Sequence, residues 1–396
     1  MSTTKKQRNY TIDFYRFLFG FSFVIGHTLI ITFRTFTPKE TGGLNFSYDT
    51  LLIFTAFAGY FMMQNFKRQQ VNAIENNISP VNQAFTYLKS RLKGLGPMFV
   101  FVNLFVFVAM RIWLKTPITD LLDAFLNHLP EFFGLYLTGL GMGTNYDGLF
   151  GELPAEFITL CQPVWFVSGL FIASYILYYL LAKNEKLTLG IIIPCVAMFF
   201  YGSLWIEGSQ ANWPNFFSIG DLKINAALIE MFCQLGFGCI IWTAVDALKG
   251  KEFKKLAKIV VSIIQGFLMI LMPIRTFIPM GTKLNPFTFG WPASYIIALI
   301  FTFLVLLNKD YATKVLNRKI FGVLGGLSMH LYMIHWPIII LVNALVPSLV
   351  QNSLIGFIAV IVILSMVAAA VAKKVDGKVQ KRLSSGSLIF EDKEIG

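Results

Sequence analysis

Three residues near the start of the chain have a chemistry that does not suit their surroundings. Asp13, Arg16 and His27 lie inside the apolar run from Thr11 to Phe33. An ionisable side chain in hydrocarbon costs about 2.5 kcal/mol or more, so such residues mark a site or a path through the membrane. Read as a helix, the run places Arg16 and His27 three turns plus about 20° apart, with a rise of about 16 Å. They share one face at two depths. Asp13, three residues before Arg16 on that face, can pair with the guanidinium and offset part of its burial cost. Burial also favours the neutral imidazole that a general base or a nucleophile requires. A plainer reading makes Arg16 a snorkelling helix-end arginine and His27 a packing residue bonded to a neighbouring helix. Depth separates the two residues. From a start near Thr11, His27 is about 24 Å along the helix, in the far half of a core about 30 Å thick and beyond snorkelling range of the near surface.

A second polar set stands near the other end of the chain, in Gly325-Gly326-Leu327-Ser328-Met329-His330-Leu331-Tyr332-Met333-Ile334-His335-Trp336-Pro337. Ser328, Tyr332 and His335 follow helical i, i+4, i+7 spacing and share a face, with His330 on another. From a start near Phe321, His335 lies about 21 Å along its helix, a depth close to that of His27. The two sets would line one cavity, or serve as interhelical hydrogen bonds. Glu230 and Gln234 are four apart on one face, Arg275 stands near the end of its run, and Trp165 opens another run as a site residue or an interfacial anchor. Lys89, Arg91 and Lys93 form a basic cluster suited to an anionic nucleotide, and equally to the ordinary cytoplasmic excess of cations.

The elements that must position these residues follow from composition. With 56% apolar and 14% charged residues among 396, and a mean hydropathy of +0.65, the chain reads as an all-α, polytopic integral membrane protein. Ten apolar runs are expected to span: Thr11–Phe33, Phe46–Phe66, Leu95–Leu114, Cys161–Ala182, Leu187–Trp205, Ile224–Val245, Ile259–Ile278, Trp291–Asn308, Phe321–Val346 and Leu349–Ala372. Alternating them from a cytoplasmic N-terminus puts 25 of the 33 Lys and Arg residues inside, which places both termini in the cytoplasm. The net charge of +12 therefore reflects membrane orientation, and no nucleic-acid signal is present. Lys5, Lys6 and Arg8 precede a first span that is too long and too polar for a cleaved leader. Residues 69–93 read as a long polar loop. Residues 116–160, which carry Asp120, Asp123, His128, Glu131, Asp147, Glu152 and Glu156, read as an extracytoplasmic cap suited to a neutral, hydroxyl-rich acceptor. Cys161, Cys195, Cys233 and Cys239 have no metal-ligand spacing, so no metal site and no disulfide framework is expected. No internal repeat or inverted pair of broken helices is found, which weighs against a secondary transporter.

Asp13-Phe14-Tyr15-Arg16, ten intervening residues and His27, together with Pro163-Val164-Trp165-Phe166-Val167-Ser168 and the Ser328-to-Pro337 segment, resemble the membrane acyltransferase-3 family in order and spacing over nearly the whole chain. The resemblance implies a ten-helix, multi-pass enzyme of the bacterial cell membrane. It would take an acyl group, usually acetyl, from cytoplasmic acyl-CoA as co-substrate and place it on a hydroxyl of an extracytoplasmic glycan or glycolipid. His27, Arg16 and Asp13 would be the catalytic set, with Arg16, Lys89, Arg91 and Lys93 at the donor and Ser328, Tyr332, His335, Glu230 and Trp165 lining the cavity. His27 would act as base in direct transfer or be acylated itself. The family's Arg-x-x-Arg pair is represented by Arg91, with Gly94 at the second position beside Lys93. One acyltransferase-like domain is expected over residues 1–383 and a cytoplasmic tail over 384–396, with no esterase-like domain appended. The rival functions are a glycan or lipid transporter or flippase that moves substrate without acyl-CoA, and a non-catalytic partner in glycan synthesis.

Overall fold

The computed structural model describes residues 9–32, 47–127, 129, 162–207, 216–219, 222–275 and 291–391. A helix lies over each of the ten apolar runs. They are α1 (Tyr10–Thr32), α2 (Ser47–Glu75), α3 (Pro80–Leu114), α5 (Trp165–Leu187), α6 (Ile193–Glu207), α7 (Ala226–Leu248), α8 (Lys255–Arg275), α9 (Trp291–Leu307), the pair α11 (Lys319–Gly325) and α12 (Ser328–Leu345), and α14 (Leu354–Glu391). Short helices α4 (Leu121–Asn127), α10 (Tyr311–Leu316) and α13 (Pro347–Asn352) connect them, and a small antiparallel hairpin, β1 (Phe216–Ile219) with β2 (Leu222–Asn225), pairs Phe216 with Asn225. Six helical stretches among the described residues are long and apolar enough to cross a membrane, and the helix from Tyr295 to Leu307 is a shorter apolar one.

Several expectations need correction. Residues 69–93 are not a loop: α2 runs on to Glu75 and α3 begins at Pro80, leaving only a tight turn in which Asn77 has φ 51°. Ser79 caps α3 by accepting from the Asn82 N–H at 3.3 Å, and Pro80 fits the first turn, where no N–H is needed. Polarity there marks a change of solvent, since Gln, Lys, Glu and Arg are good helix formers. The run from Ile224 begins in β2, so its helix starts at Ala226. The run from Phe321 to Val346 is broken between Gly325 and Ser328. Helix α14 continues to Glu391, through most of the expected tail. The expected cap opens with a 3-10 turn at Ile118–Asp120 and α4, and most of the rest of it lies outside the described residues. Asn184, with extended backbone, kinks α5 near its end, and its side chain accepts from the Leu187 N–H at 3.0 Å.

The chain divides into two compact units: Met1–Phe54 with Thr243–Tyr332, and Thr55–Trp242 with Met333–Gly396. In the first, the start of α1 is pinned by the Tyr10 N–H donating to Asn317 Oδ1 at 2.9 Å and Thr11 Oγ1 donating to the Thr313 carbonyl at 2.8 Å. Asp310 caps α10, and Lys309 Nζ donates to the carbonyls of Leu248, Lys249 and Lys251 at the end of α7. Tyr15 stands edge-on to Phe301 of α9 and accepts from Gln265 Nε2 of α8 at 2.8 Å.

In the second unit α3 packs along α5, and α2 approaches α7 at glycines. A Cβ on Gly59 would collide with the backbone of Leu235, and one on Gly238 with that of Ala56. Small residues allow such backbone approach where lipid offers no hydrophobic gain for helix pairing. Cys233 and Cys239 are buried, as small hydrophobes would be, with Cys239 Sγ donating to the Gly59 carbonyl at 3.4 Å, whereas Cys195 is exposed.

Candidate functional site

In the first unit, α1 lies beside α11 and the first turns of α12, all running in the same chain direction. Phe14 meets Phe321 edge-on at 4.8 Å, Gly20 faces Ser328, and Phe23 meets Tyr332 edge-on at 4.8 Å. Parallel packing is what a first and a ninth span require, because an even number of crossings separates them. The approach is close. A Cβ on Gly325 would stand 2.5 Å from Asp13 Cβ and from its carbonyl oxygen, and one on Gly322 would stand 2.7 Å from the Tyr10 ring. The break after Gly325 frees backbone carbonyls, and Ser328 Oγ donates to that of Gly325 at 2.8 Å.

The sequence-derived residues fall into two groups. Asp13 is 4% exposed and Ser328 and Tyr332 are buried, while Arg16 and His27 are only half-buried. His27 stacks on Phe23 at 5.9 Å and 24°, and Phe23 in turn carries Tyr332, so one aromatic side chain joins the imidazole to the second helix. Asp13, Arg16, His27, Ser328 and Tyr332 therefore belong to one helix pair. Partial exposure of a guanidinium and an imidazole at two depths of α1 is what access from a passage requires.

Of the remaining candidates, His335, Glu230, Trp165, Lys89, Arg91 and Lys93 belong to the second unit and Arg275 to the first. His335, seven residues past Ser328 on α12, is fully buried at 0% exposure. Glu230 is 2% exposed and accepts from Gln234 Nε2 at 2.8 Å, the expected i, i+4 pair. Trp165 begins α5 and Arg275 ends α8, and both side chains lie outside the described residues. Lys89 and Lys93 are exposed and Arg91 is half-buried.

Arg91 is held from its own helix. Its Nε donates to Tyr87 Oη at 2.9 Å, and the guanidinium carbon lies 4.9 Å from the centroid of the same ring. Tyr87 stacks on Tyr178 of α5 at 4.6 Å, and Tyr178 Oη donates to Gln69 Oε1 of α2 at 3.1 Å. Beside this layer Lys67 pairs with Glu185 at 2.6 Å. Among the described residues the Arg91 hydrogen bond uses only Nε, which leaves the rest of the planar fork for an anion. Gly94 meets nothing within 4 Å where a Cβ would stand, so packing does not require a glycine there. Pro97 lacks the N–H that the Lys93 carbonyl would take, and Gln380 Nε2 of α14 donates to that carbonyl at 2.8 Å instead.

Reading the sequence missed Tyr87, Tyr178, Gln380, Phe23 and the structural use of Gly322 and Gly325. The Tyr87–Arg91 spacing of four and the position of Pro97 were visible signals; the stacking and the glycine contacts were not.

A family model described as an acyltransferase domain matches residues 9–373. No curated protein and no solved structure matches the chain. The matched span takes in the α1 pair and the basic layer alike, and nearly every described helix, so the chain is a multi-pass membrane acyltransferase that belongs to the acyltransferase-3 family.

Proposed function

We propose that this protein transfers an acyl group, acetyl in the simplest case, from cytoplasmic acyl-CoA to a hydroxyl of an extracytoplasmic sugar or glycolipid, in a bacterial cell membrane with both termini in the cytoplasm. The observation that carries the reading is the acyltransferase match over residues 9–373, which spans a helix with half-buried Arg16 and His27 on one face.

In this mechanism the neutral His27 takes the proton of the acceptor hydroxyl as its oxygen attacks the thioester carbonyl. The carbon–sulfur bond then breaks, and the thiolate leaves with a proton. Arg16, with Asp13 beside it, orients the donor's approach. A backbone N–H or the Tyr332 phenol stabilises the oxyanion. Lys89, Arg91 and Lys93 hold the donor's phosphates, with Arg91 presented by Tyr87.

Replacing His27 by Ala is expected to lower acyl transfer from radiolabelled acetyl-CoA by about 10²–10⁴-fold, the usual worth of a general base. The protein should remain folded in the membrane. Acylation of surface sugars at the wild-type level in His27→Ala cells would overturn the reading. Trapping a labelled acyl-enzyme that disappears in the variant would instead make His27 the nucleophile.

A further inference from the structure

Arg111 stands near the end of α3, twenty residues past Arg91. At 1.5 Å per residue that is about 30 Å, one hydrocarbon thickness, so the two arginines mark opposite edges of the membrane core. Arg111 is 8% exposed, and among the described residues its Nε and Nη2 have no hydrogen-bond partner. Among the described residues the ring of Phe107 lies 5.3 Å from the guanidinium carbon, and Phe107 in turn meets Phe125 of α4 edge-on at 5.7 Å. A ring face offsets only part of the cost of desolvating a guanidinium. Asp120 and Asp123, the nearest carboxylates along the described chain, are exposed and form no ion pair with it, and Asp120 accepts from Thr119 Oγ1.

The surroundings say what completes the site. Exposed Val100, Leu104, Val108 and Ile112 form an i, i+4 stripe on α3 that ends level with Arg111, where acyl chains give way to headgroups. Beyond the end of the helix, Ile118, Leu122, Leu126 and Leu129 expose a second apolar row, as an interfacial helix does. Lys115, exposed and about 6 Å further along, adds a second cation beyond the end of the helix. We infer that Arg111 binds the phosphate of a membrane lipid headgroup at this face of α3, with the lipid's chains along the Val100-to-Ile112 stripe. The site is independent of the acyl-transfer reading.

The test uses the delipidated full-length protein in uncharged detergent, with phosphatidylglycerol as probe and diacylglycerol as its phosphate-free counterpart, read by native mass spectrometry. The wild type should bind phosphatidylglycerol at least about tenfold more tightly than Arg111→Gln, as loss of a charged hydrogen bond predicts, while diacylglycerol binds both alike. Equal binding of phosphatidylglycerol by wild type and variant overturns the proposal. Displacement of the lipid by an equal concentration of inorganic phosphate overturns its assignment to a headgroup. Should Arg111→Gln not fold, the wild type decides alone: about tenfold preference for the phosphate-bearing lipid supports the site, and no preference overturns it.

Discussion

The helix pair that holds Arg16 and His27 and the layer that holds Arg91 are built on opposite principles. In the first, backbone meets backbone: Gly325 lies against the main chain of Asp13, and Gly20 against that of Ser328. In the second, long polar side chains are steadied by rings, with Tyr87 under Arg91 and Tyr178 behind Tyr87, while Gly94 borders open space. A site meant to fix reacting atoms gains from the first arrangement, because helices in backbone contact cannot slide without collision. A site meant to hold an exposed, multiply charged ligand gains from the second, because side chains can follow the ligand.

The contrast breaks most visibly at Gly325. A Cβ there must displace backbone, so Gly325→Val is expected to cost more than the roughly 1–3 kcal/mol typical of overpacking and to abolish the yield of monodisperse protein extracted from membranes. Wild-type yield and thermal stability in that variant would show that the helix pair is looser than described. Tyr332→Phe sharpens the same region, since it keeps the ring edge on Phe23 and removes only the phenol. If that phenol is the oxyanion donor, kcat falls by about 10²-fold with the melting temperature unchanged, and an unchanged kcat assigns the role to backbone.

Smaller effects are expected in the basic layer. Arg91→Gln should raise the apparent KM for acyl-CoA about tenfold with little change in kcat, as loss of ground-state binding does. Gly94→Arg should move KM the other way and, by replacing a helix-interior glycine, stabilise the protein by about 1 kcal/mol in thermal unfolding. A fall in kcat in either variant would place these residues in the chemistry instead of the binding. Gln380→Ala, which leaves the Lys93 carbonyl without its donor, should cost about 1 kcal/mol and leave activity intact.

Much of this was legible in the chain. The ten runs, the shared face of Arg16 and His27, and the Glu230–Gln234 pair follow from period and hydropathy, both local properties. The ends of elements were less legible. Residues 69–93 were polar enough to look like a loop, yet polarity records solvent, and a helix leaving the membrane becomes polar without unwinding. The break after Gly325 was hinted at by two successive glycines, but glycine is also common in unbroken membrane helices.

By itself, then, the sequence determined where the long apolar helices form, which residues among them could do chemistry, and on which face of its own helix each one sits. Only the tertiary structure decided that α11 and α12 are the neighbours of α1, that Phe23 links His27 to Tyr332, and that Gln380 answers the carbonyl left open by Pro97. The reason is physical. In lipid every apolar face is equally content with acyl chains, so hydropathy cannot choose a partner, and the choice passes to shape, to the close contacts glycine permits, and to the few polar groups that must find each other.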